Sequence, residues 1–277
     1  IPIVGDCKTV LREFNQILRA TVNGEQKELR KPWWDQIQEW QQAHPLTYHQ
    51  EKDGPIKPQQ VVKRLYELTR DRDPIVSTDV GQHQMWAAQY FKLAKPNRWL
   101  TSGGLGTMGF GFPAAMGAQA AFRDRLVLCI AGDGSIQMNM QEMATAIISK
   151  LPVKIIILNN GFHGMVRQWQ DLFYEGRYAS SDLGTTPDFV KLAEAYGAVG
   201  LRVKKVGDLD AVLKEAMATD KPVIVDVPTY PYENCYPMIP AGGCNHEMLL
   251  EDPPELKKKQ VGSEKVTPED KDTVLTA

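Results

Sequence analysis

The chain has 277 residues, which is long enough to bury one large α/β core. Its 43% hydrophobic and 24% charged residues are typical of globular proteins and argue against disorder. A formal net charge of −2, with acidic and basic residues interspersed, argues against the broad positive surface that nucleic acids require. The longest apolar runs, such as IIIL at 155–158, fall well short of the roughly 20 residues of a transmembrane helix. We therefore predict a soluble protein that binds neither nucleic acid nor membrane.

Two helices are predicted before residue 57. In DCKTVLREFNQILRA, apolar residues recur at helical spacing behind Asp6, a possible N-cap. KPWWDQIQEWQQAHP at 31–45 has Pro32 in a first-turn position and places Trp33, Ile37 and Trp40 on one face. The tract EKDGPIKP then indicates a boundary, because proline and glycine interrupt both helices and strands.

From residue 57 onward, segments with strand and helix patterns alternate. Helices are predicted at 57–70, 82–93, 113–121, 139–149, 160–174, 187–196 and 208–218, and strands at 75–79, 98–101, 126–131, 153–158, 198–203 and 222–227. This alternation implies βαβ crossovers. Uninterrupted apolar strands such as VKIIIL indicate burial on both faces. We therefore predict an α/β fold with a doubly wound, mostly parallel six-stranded sheet and helices on both faces.

Polar residues follow two neighbouring strands of this sheet. Gly132, Asp133, Gly134 and Ser135 come after the strand RLVLCIA, and an Asn159–Asn160 pair follows VKIIIL. One interpretation is a tight Asp-Gly turn, with Ser135 or Asn139 capping the next helix. The other is a phosphate and Mg²⁺ site, since carboxylate, carboxamide and carbonyl oxygens suit Mg²⁺. His163 lies nearby, but a lone loop histidine is more often a packing or surface residue than a ligand.

A glycine-rich loop and a polar helix start lie at the same edge. TSGGLGTMGFGFP contains a formal GxGxxG, yet Gly111 and Pro113 keep a helix from starting much before residue 112, and no acidic residue follows at the distance a dinucleotide needs. The loop is better interpreted as a surface for another flat ligand. In DVGQHQMW, Gln82 and His83 offer polar groups, although Asp79 as an ordinary helix cap is the simpler explanation.

Taken together, GDGSIQMNMQEMATAIISKLPVKIIILNN resembles the thiamine-diphosphate motif, which opens with GDG and closes with two asparagines. TSGGLGTMGFGFPAAMGA, GQHQMWAAQY, GFHGMVRQWQDLFY and YPMIPAGG narrow the resemblance to the large catalytic subunit of acetohydroxyacid synthase, also called acetolactate synthase. The resemblance extends to about Gly243, and residues 245–277 match none of the family's features.

The resemblance implies a role for each matching residue. Asp133 and Asn160 would bind Mg²⁺ by their side chains and Phe162 by its carbonyl oxygen. The residues around the diphosphate would be Gln82, His83, Gly132, Gly134 and Ser135. Gly106 and Met108 would face the cofactor rings, and Met165 and Trp169 would line the substrate pocket, with Met165 also near the cofactor. Met108, Met165 and Trp169 are therefore the predicted catalytic-site residues.

The family's reaction joins two 2-oxo acids, pyruvate with pyruvate or 2-oxobutyrate, with loss of CO₂ in branched-chain amino acid biosynthesis. In the family, a glutamate from an N-terminal domain of another subunit activates thiamine diphosphate, and FAD is bound mostly by a middle domain. The chain begins IPIVGD, so we expect a fragment that lacks both. The resemblance also implies a homodimer or tetramer, a possible regulatory small subunit, and a cytoplasmic location, or a plastid one in a plant or alga.

The element pattern and the resemblance divide the chain into four predicted segments. They are the end of a central domain at 1–25, a linker helix and loop at 26–56, the diphosphate and Mg²⁺ domain at 57–230, and a C-terminal arm with a polar tail at 231–277.

Two other functions stay open. One is a different thiamine-diphosphate decarboxylase, oxidase or carboligase, against which Trp169 within GMVRQW argues. The other is a noncatalytic module that binds the cofactor.

Overall fold

A computed structural model describes residues 1–254 and residue 256. The chain divides into two compact units, Ile1–Thr47 and Tyr48–Ala277. The finer boundaries expected at 25/26, 56/57 and 230/231 stay predictions. Most of the expected polar tail lies outside the described residues.

The first unit contains two helices, α1 (Cys7–Thr21) and α2 (Gly24–Ala43). Asp6 caps α1 as predicted, because its carboxylate accepts a hydrogen bond from the Thr9 amide at 2.9 Å. The predicted start of the second helix near residue 31 is wrong. Asn23 caps α2 by accepting from the Gln26 amide at 3.3 Å, and Pro32 therefore lies inside the helix. Proline is a poor guide to a helix start when a better capping residue precedes it.

The second unit begins with α3 and alternates helices with strands. The helices are α3 (Pro58–Thr69), α4 (Gln82–Tyr90), α5 (Gly111–Ala121), α6 (Asp133–Ile136), α7 (Met143–Ile148), α8 (Gly164–Phe173), α9 (Phe189–Ala195) and α10 (Leu209–Ala218). The strands are β1 (Ile75–Thr78), β2 (Trp99–Leu100), β3 (Val127–Gly132), β4 (Lys154–Asn159), β5 (Val199–Arg202) and β6 (Val223–Pro228). The predicted helix at 139–149 is shorter than expected. Only Met143–Ile148 of it is α-helical, because a 3-10 turn at Met140–Glu142 precedes it.

The six strands form one sheet in the order β2-β1-β3-β4-β6-β5. Every neighbouring pair is parallel, so the predicted doubly wound parallel sheet is confirmed. The register places Gly132 at the end of β3 opposite Leu158 on β4. The chain leaves β1 toward one edge of the sheet and returns to place β3 on the other side. The gap beyond the carboxyl ends of β1 and β3 is therefore the topological switch point, where ligands bind in such sheets.

Two hydrophobic cores cover the sheet, one on each face. Leu128 and Ile130 of β3 pack into the core formed with α3, α4 and α10. Their neighbours Val127 and Cys129 pack into the core formed with α5, α7 and α9. Since successive strand residues point to opposite faces, both sets must be apolar, which explains the uninterrupted apolar strands. No helix in the described part of the chain is long and apolar enough to cross a membrane.

One carboxylate holds the amino ends of three adjacent strands, β2, β1 and β3, together. Asp73 adopts a left-handed conformation, with φ of 48°, two residues before β1. Its oxygens bind Arg98 before β2 at 3.1 Å and Arg125 before β3 at 2.8 Å. Lys95 lies 3.2 Å away. Hydrogen bonds from Arg98 and then Arg125 hold the pKa of Asp73 well below its usual range.

We expect Asp73→Asn to lower the melting temperature at pH 7, because asparagine tolerates the left-handed backbone but loses the charge. A carboxylate with a lowered folded pKa stabilises the fold above its unfolded pKa of about 3.9. That contribution disappears as the pH falls through the lower folded value. The difference in melting temperature between wild type and variant should therefore shrink steadily below about pH 4.

The measurement is circular dichroism melting between pH 2 and pH 7. Asp71→Asn is the matched control. The Asp71 side chain is 94% exposed, and its ion pair with Arg70 is long, at 3.9 Å. A constant difference for Asp73→Asn across this pH range would contradict the assignment.

Candidate active site

A cavity of about 510 Å³ opens beyond the carboxyl ends of β1, β3 and β4, at the switch point. Its size lies within the range of small-molecule sites. Residues from the loops after all three strands line it. Among them are the sequence-predicted Gln82, His83, Gly106, Met108, Gly132, Asp133, Gly134, Ser135, Asn160, Phe162 and Met165.

Asp133 is the most unusual residue in this cavity, because it is 1% exposed and its carboxylate has no cationic partner among the described residues. One oxygen accepts a hydrogen bond from the Gly161 amide at 2.8 Å. Burial raises the pKa of Asp133 to about 7, and nearby Asp226 adds to the shift, although backbone hydrogen bonds oppose it. A cation placed beside this carboxylate would offset the cost of burying it.

The two asparagines after β4 behave differently. Asn159 lies outside the cavity, where its side-chain amide donates to Asp226 at 3.0 Å. Asn160 lines the cavity, and its Oδ1 accepts a hydrogen bond from the Phe162 amide at 3.1 Å. Asp226 in turn accepts from Arg202 at 2.9 Å. Of the pair, only Asn160 is placed to contact a ligand in this cavity.

Gln82 and His83 form the first turn of α4 and are both buried. The Gln82 Nε2 donates to Gln168 at 2.8 Å and to the Glu233 carbonyl at 3.0 Å. Burial lowers the pKa of His83 to about 4, against the opposing influence of Asp79, so the imidazole is neutral at pH 7. Its Nε2 finds no hydrogen-bond partner among the described residues, which leaves a buried polar atom available to a ligand.

Asp79 organises the glycine-rich loop, and its simpler interpretation as the cap of α4 is wrong. Helix α4 has Gly81 at its N-cap and no side-chain cap. The Asp79 carboxylate, 0% exposed, accepts from the amides of Val80 at 2.8 Å, Gly109 at 2.9 Å and Gly111 at 3.1 Å. These bonds fix the loop that carries Gly106 and Met108 and begin α5. Pairing between residues about 30 positions apart leaves no local signal in the sequence.

Of the two proposed caps, Asn139 makes no side-chain cap for the helices after it, and Ser135 instead bonds the backbone at the start of its own helix α6. The Asn139 side chain instead donates to the Gly109 carbonyl at 2.7 Å, across to the glycine-rich loop. The Ser135 hydroxyl bonds back to Gly132, accepting from its amide at 3.1 Å and donating to its carbonyl at 3.2 Å. Both side chains therefore hold loops that border the cavity.

Three glycines around the cavity stand where no larger residue fits. A Cβ on Gly132 would lie 2.8 Å from Nδ1 of His83, and one on Gly134 would lie 2.9 Å from Nδ1 of His163. A Cβ on Gly164 would overlap the Gln82 carboxamide. The missing side chains let backbone and imidazole groups lie against each other. His163, expected to be a packing or surface residue, thus also lines the cavity.

Met108 of the glycine-rich loop and Met165 of α8 both line the cavity, and Gly106 adopts φ of 64°, which favours glycine. Trp169 is the exception. It is half-buried one turn after Met165 on α8, packs edge-on against Phe173 at 5.1 Å, and is not among the described residues that line the cavity. Met138 and Val80 line it without having been predicted, because an apolar residue in a loop carries no distinguishing signal.

No cluster of three or more His, Cys, Asp or Glu side chains that could hold a metal occurs in the described residues. A metal in the cavity would therefore have one carboxylate ligand and otherwise neutral oxygens. Asp133, the Asn160 carboxamide and the Phe162 carbonyl form such a set. It is a ligand set suited to Mg²⁺ rather than to zinc.

Comparison with known proteins agrees with this geometry. Residues 79–227 match the thiamine pyrophosphate enzyme family, in its C-terminal TPP binding domain. The chain is 46% identical over 256 residues to the acetolactate synthase large subunit of Haemophilus influenzae, covering 92% of this chain and 44% of that protein. It is 46% identical over 255 residues to the acetolactate synthase isozyme 3 large subunit of Escherichia coli K12, covering 90% and 44%. The acetolactate synthase large subunit of Parasynechococcus marenigrum is 48% identical over 226 residues, covering 81% and 36%. The chain thus spans less than half the length of these relatives.

The role of Asp79 is testable by Asp79→Asn. Asparagine keeps one acceptor oxygen but turns an N–H donor toward the Gly111 amide. We expect the free energy of unfolding to fall by about 1.5 to 3 kcal/mol, the range for one hydrogen bond to a charged group. Urea unfolding measures it, with Asp124→Asn on an exposed turn as the control. Equal stability of both variants would contradict the loop-organising role.

Proposed function

Because the chain belongs to the thiamine pyrophosphate enzymes, whose C-terminal cofactor-binding domain it carries, we propose that it is the cofactor-binding half of an acetolactate synthase large subunit. One observation carries this proposal. A buried carboxylate, a carboxamide oxygen and a glycine-lined loop meet in a single cavity at the switch point of the sheet. The relatives share about 45% identity with nearly all of this chain, which supports the choice among thiamine-dependent enzymes.

The cavity fits Mg²⁺ in its electrostatics. Asp133 is buried without a cationic partner among the described residues, and its pKa is raised to about 7 by that burial. A divalent cation would favour the ionised form and offset this penalty. Asn160 and the Phe162 carbonyl would complete the protein's share of the ligands, with phosphate oxygens and water in the remaining positions.

The cavity also fits a diphosphate. His83 presents a buried Nε2 that finds no partner in the described residues, and a polar ligand beside it would satisfy this atom. Gly132 and Gly134 leave backbone groups accessible where a Cβ would meet imidazole rings. Gln82 and Ser135 add polar groups along the same wall.

When bound, thiamine diphosphate would supply a carbon nucleophile and an electron sink for decarboxylating one 2-oxo acid and joining it to another. The chain's residues would bind and orient. Met108 and Gly106 would contact the cofactor rings, and Met165 would contact both cofactor and substrate. We assign Trp169 to the acceptor side, where the half-buried indole one turn beyond Met165 would form a wall once the rest of the subunit is present.

In this proposal the acids joined are pyruvate with pyruvate or 2-oxobutyrate, a step toward valine and isoleucine. FAD would be held by the part of the subunit that this chain does not span. The relatives are named large subunits, so we also propose a small-subunit partner and self-association of the large subunit. A different thiamine-dependent enzyme, or a noncatalytic cofactor-binding module, would show itself in the second test below.

We expect Asp133→Ala to weaken Mg²⁺-dependent binding of thiamine diphosphate by more than about 100-fold, exceeding the usual 10- to 100-fold effect of removing a group that only supports a metal ligand. The reason is that Asp133 is the sole carboxylate among the described residues lining the cavity. Isothermal titration calorimetry with and without Mg²⁺ measures it. His163→Ala, in the same cavity but without an assigned ligand role, should bind nearly as wild type does. The reverse order would remove Asp133 as the metal ligand.

The isolated chain should form no detectable acetolactate from pyruvate. Activating the cofactor needs a carboxylic group near its aminopyrimidine, and acid–base assistance of this kind contributes about 10² to 10⁴ in rate. Within the described lining, the single carboxylate is already assigned to the metal. Adding the N-terminal half of an acetolactate synthase large subunit as a separate chain should therefore restore activity.

A colorimetric acetolactate assay compares the chain alone, the mixture, and the mixture made with Asp133→Ala, which should stay inactive. Robust turnover by the chain alone would show that a residue within it replaces the missing group. If the mixture binds cofactor and associates but makes a different product or none, the alternatives above are favoured.

A further inference from the structure

A buried glutamine outside the cavity, Gln168 on α8, forms a reciprocal hydrogen-bonded pair with the backbone of Cys235. The Cys235 amide donates to Gln168 Oε1 at 2.8 Å, and Gln168 Nε2 donates to the Cys235 carbonyl at 3.0 Å. Nε2 also lies 3.1 Å from the Met238 sulfur. A backbone N–H can only donate and a carbonyl can only accept, so the two ends of the Gln168 carboxamide cannot be exchanged.

Cys235 belongs to a segment that is itself firmly held. The arm, defined by its contacts as residues 229–238, includes the start of the C-terminal segment predicted at 231–277. Its Tyr230 amide donates to the Ile56 carbonyl at 2.8 Å, and the Glu233 carboxylate accepts from Lys57 at 2.5 Å and Gln59 at 2.6 Å. The buried Arg167 donates to the Glu233 carbonyl at 3.0 Å and to the Asn234 side chain at 2.7 Å. The arm is therefore a fixed reference for the orientation of Gln168.

The side chain of Gln168 contacts that of Gln82, which lines the cavity. Its Nε2 donates both to Gln168 Oε1 at 2.8 Å and to the Glu233 carbonyl at 3.0 Å. Two acceptors on one side keep the NH₂ group there. The Oε1 of Gln82 must then face the other way, where it accepts from Asn160 Nδ2 at 3.3 Å. Exchanging the two ends of Gln82 would set oxygen against oxygen and nitrogen against nitrogen.

The Gln168–Gln82 chain of hydrogen bonds, which we call the relay, orients the Asn160 carboxamide together with the Phe162 amide. Its Nδ2 faces Gln82, so its Oδ1 is on the opposite branch, where it accepts from the Phe162 amide at 3.1 Å and keeps a second lone pair. We propose that Gln168 is a positioning residue that, through Gln82, orients the Asn160 carboxamide oxygen toward the bound metal. The inference rests on the proposed function, in which Asn160 is a metal ligand.

A merely structural role for Gln168, joining α8 to the arm, makes a different prediction. In that case affinity for metal would follow stability, whichever residue replaced the glutamine. In the relay, the atom of Gln168 that matters is Oε1, which with the Glu233 carbonyl accepts from Gln82 Nε2. Gln168→Glu keeps an oxygen there and loses the donor to Cys235. Gln168→Met fills a similar volume and loses the acceptor.

The test measures Mn²⁺ binding to the 277-residue chain in the presence of thiamine diphosphate, from the electron paramagnetic resonance signal of the free ion. We expect Gln168→Met to weaken Mn²⁺ affinity by about 10-fold or more, as is usual for groups that orient metal ligands. Gln168→Glu keeps the acceptor oxygen and should weaken Mn²⁺ affinity by less than about 3-fold, well below the usual effect of losing a group that orients a metal ligand. Melting curves establish that each variant is folded. If Gln168→Met does not fold, Gln168→Asn, too short to reach Gln82 and Cys235 together, replaces it with the same expectation.

Gln119 supplies the matched control. It is also a buried glutamine, 1% exposed, and its hydrogen bonds hold the end of α5 rather than any residue that lines the cavity. Its Nε2 donates to the carbonyls of Phe122, Arg123 and Arg125. Gln119→Met should lower the melting temperature and leave Mn²⁺ affinity unchanged. Affinity lost equally in Gln168→Glu and Gln168→Met, or lost in neither, overturns the positioning role.

Asp133→Ala separates this inference from the proposed function. If wild type shows no cofactor-dependent Mn²⁺ binding, or if Asp133→Ala binds as wild type does, the metal site is wrong and the relay falls with it. If wild type binds, Asp133→Ala does not, and Gln168→Met binds like wild type, the metal site stands and only the role of Gln168 is overturned.

Discussion

A parallel sheet covered by helices on both faces leaves ligands one place to bind, which is the edge where its strands end. In this chain the apolar residues of β3 and β4 alternate between two cores, so neither face can carry a polar site. The strand order reverses between β1 and β3, and the loops after these strands diverge there. The polar groups assigned to the cofactor follow the ends of these strands, including Gln82 at the start of α4 after β1 and Asp133 at the start of α6 after β3.

Two buried carboxylates border this gap, and the protein stabilises them in different ways. Asp79 receives three backbone hydrogen bonds, all from its own or the glycine-rich loop, and so serves the fold. Asp133 accepts from the Gly161 amide at 2.8 Å and lies beside Asp226, and burial raises its pKa to about 7 although backbone hydrogen bonds oppose the shift. A buried carboxylate without a partner charge destabilises the protein when no cation is bound. The same carboxylate attracts a cation, because binding offsets the cost of burying the charge. The contrast between the two residues supports the assignment of Asp133 to the metal.

Much of this arrangement could be predicted from the sequence because its signals are local. The alternation from residue 57 predicted the sheet, and the positions of Asp133 and Asn160 after neighbouring strands predicted that both reach one edge. Their roles stay predictions. What could not be predicted depends on distant pairs. Asn23 rather than Pro32 sets the start of α2, the carboxylate of Asp79 reaches across to Gly111, and Gln168 is oriented by Cys235. Polarity alone does not show which distant group a side chain will meet.

The position of the arm along the chain has a consequence for how the protein is made. The Glu233 carbonyl accepts a hydrogen bond from Gln82, and the Cys235 backbone orients Gln168. Both Glu233 and Cys235 follow β6. Synthesis from the amino terminus therefore releases all six strands and the whole cavity before the arm emerges. Contacts over about 150 positions form late in folding because closing long loops is entropically costly. If Asn160 is a metal ligand as proposed, a nascent chain would hold a complete sheet before that ligand is oriented, and cofactor binding would coincide with the docking of residues 229–238.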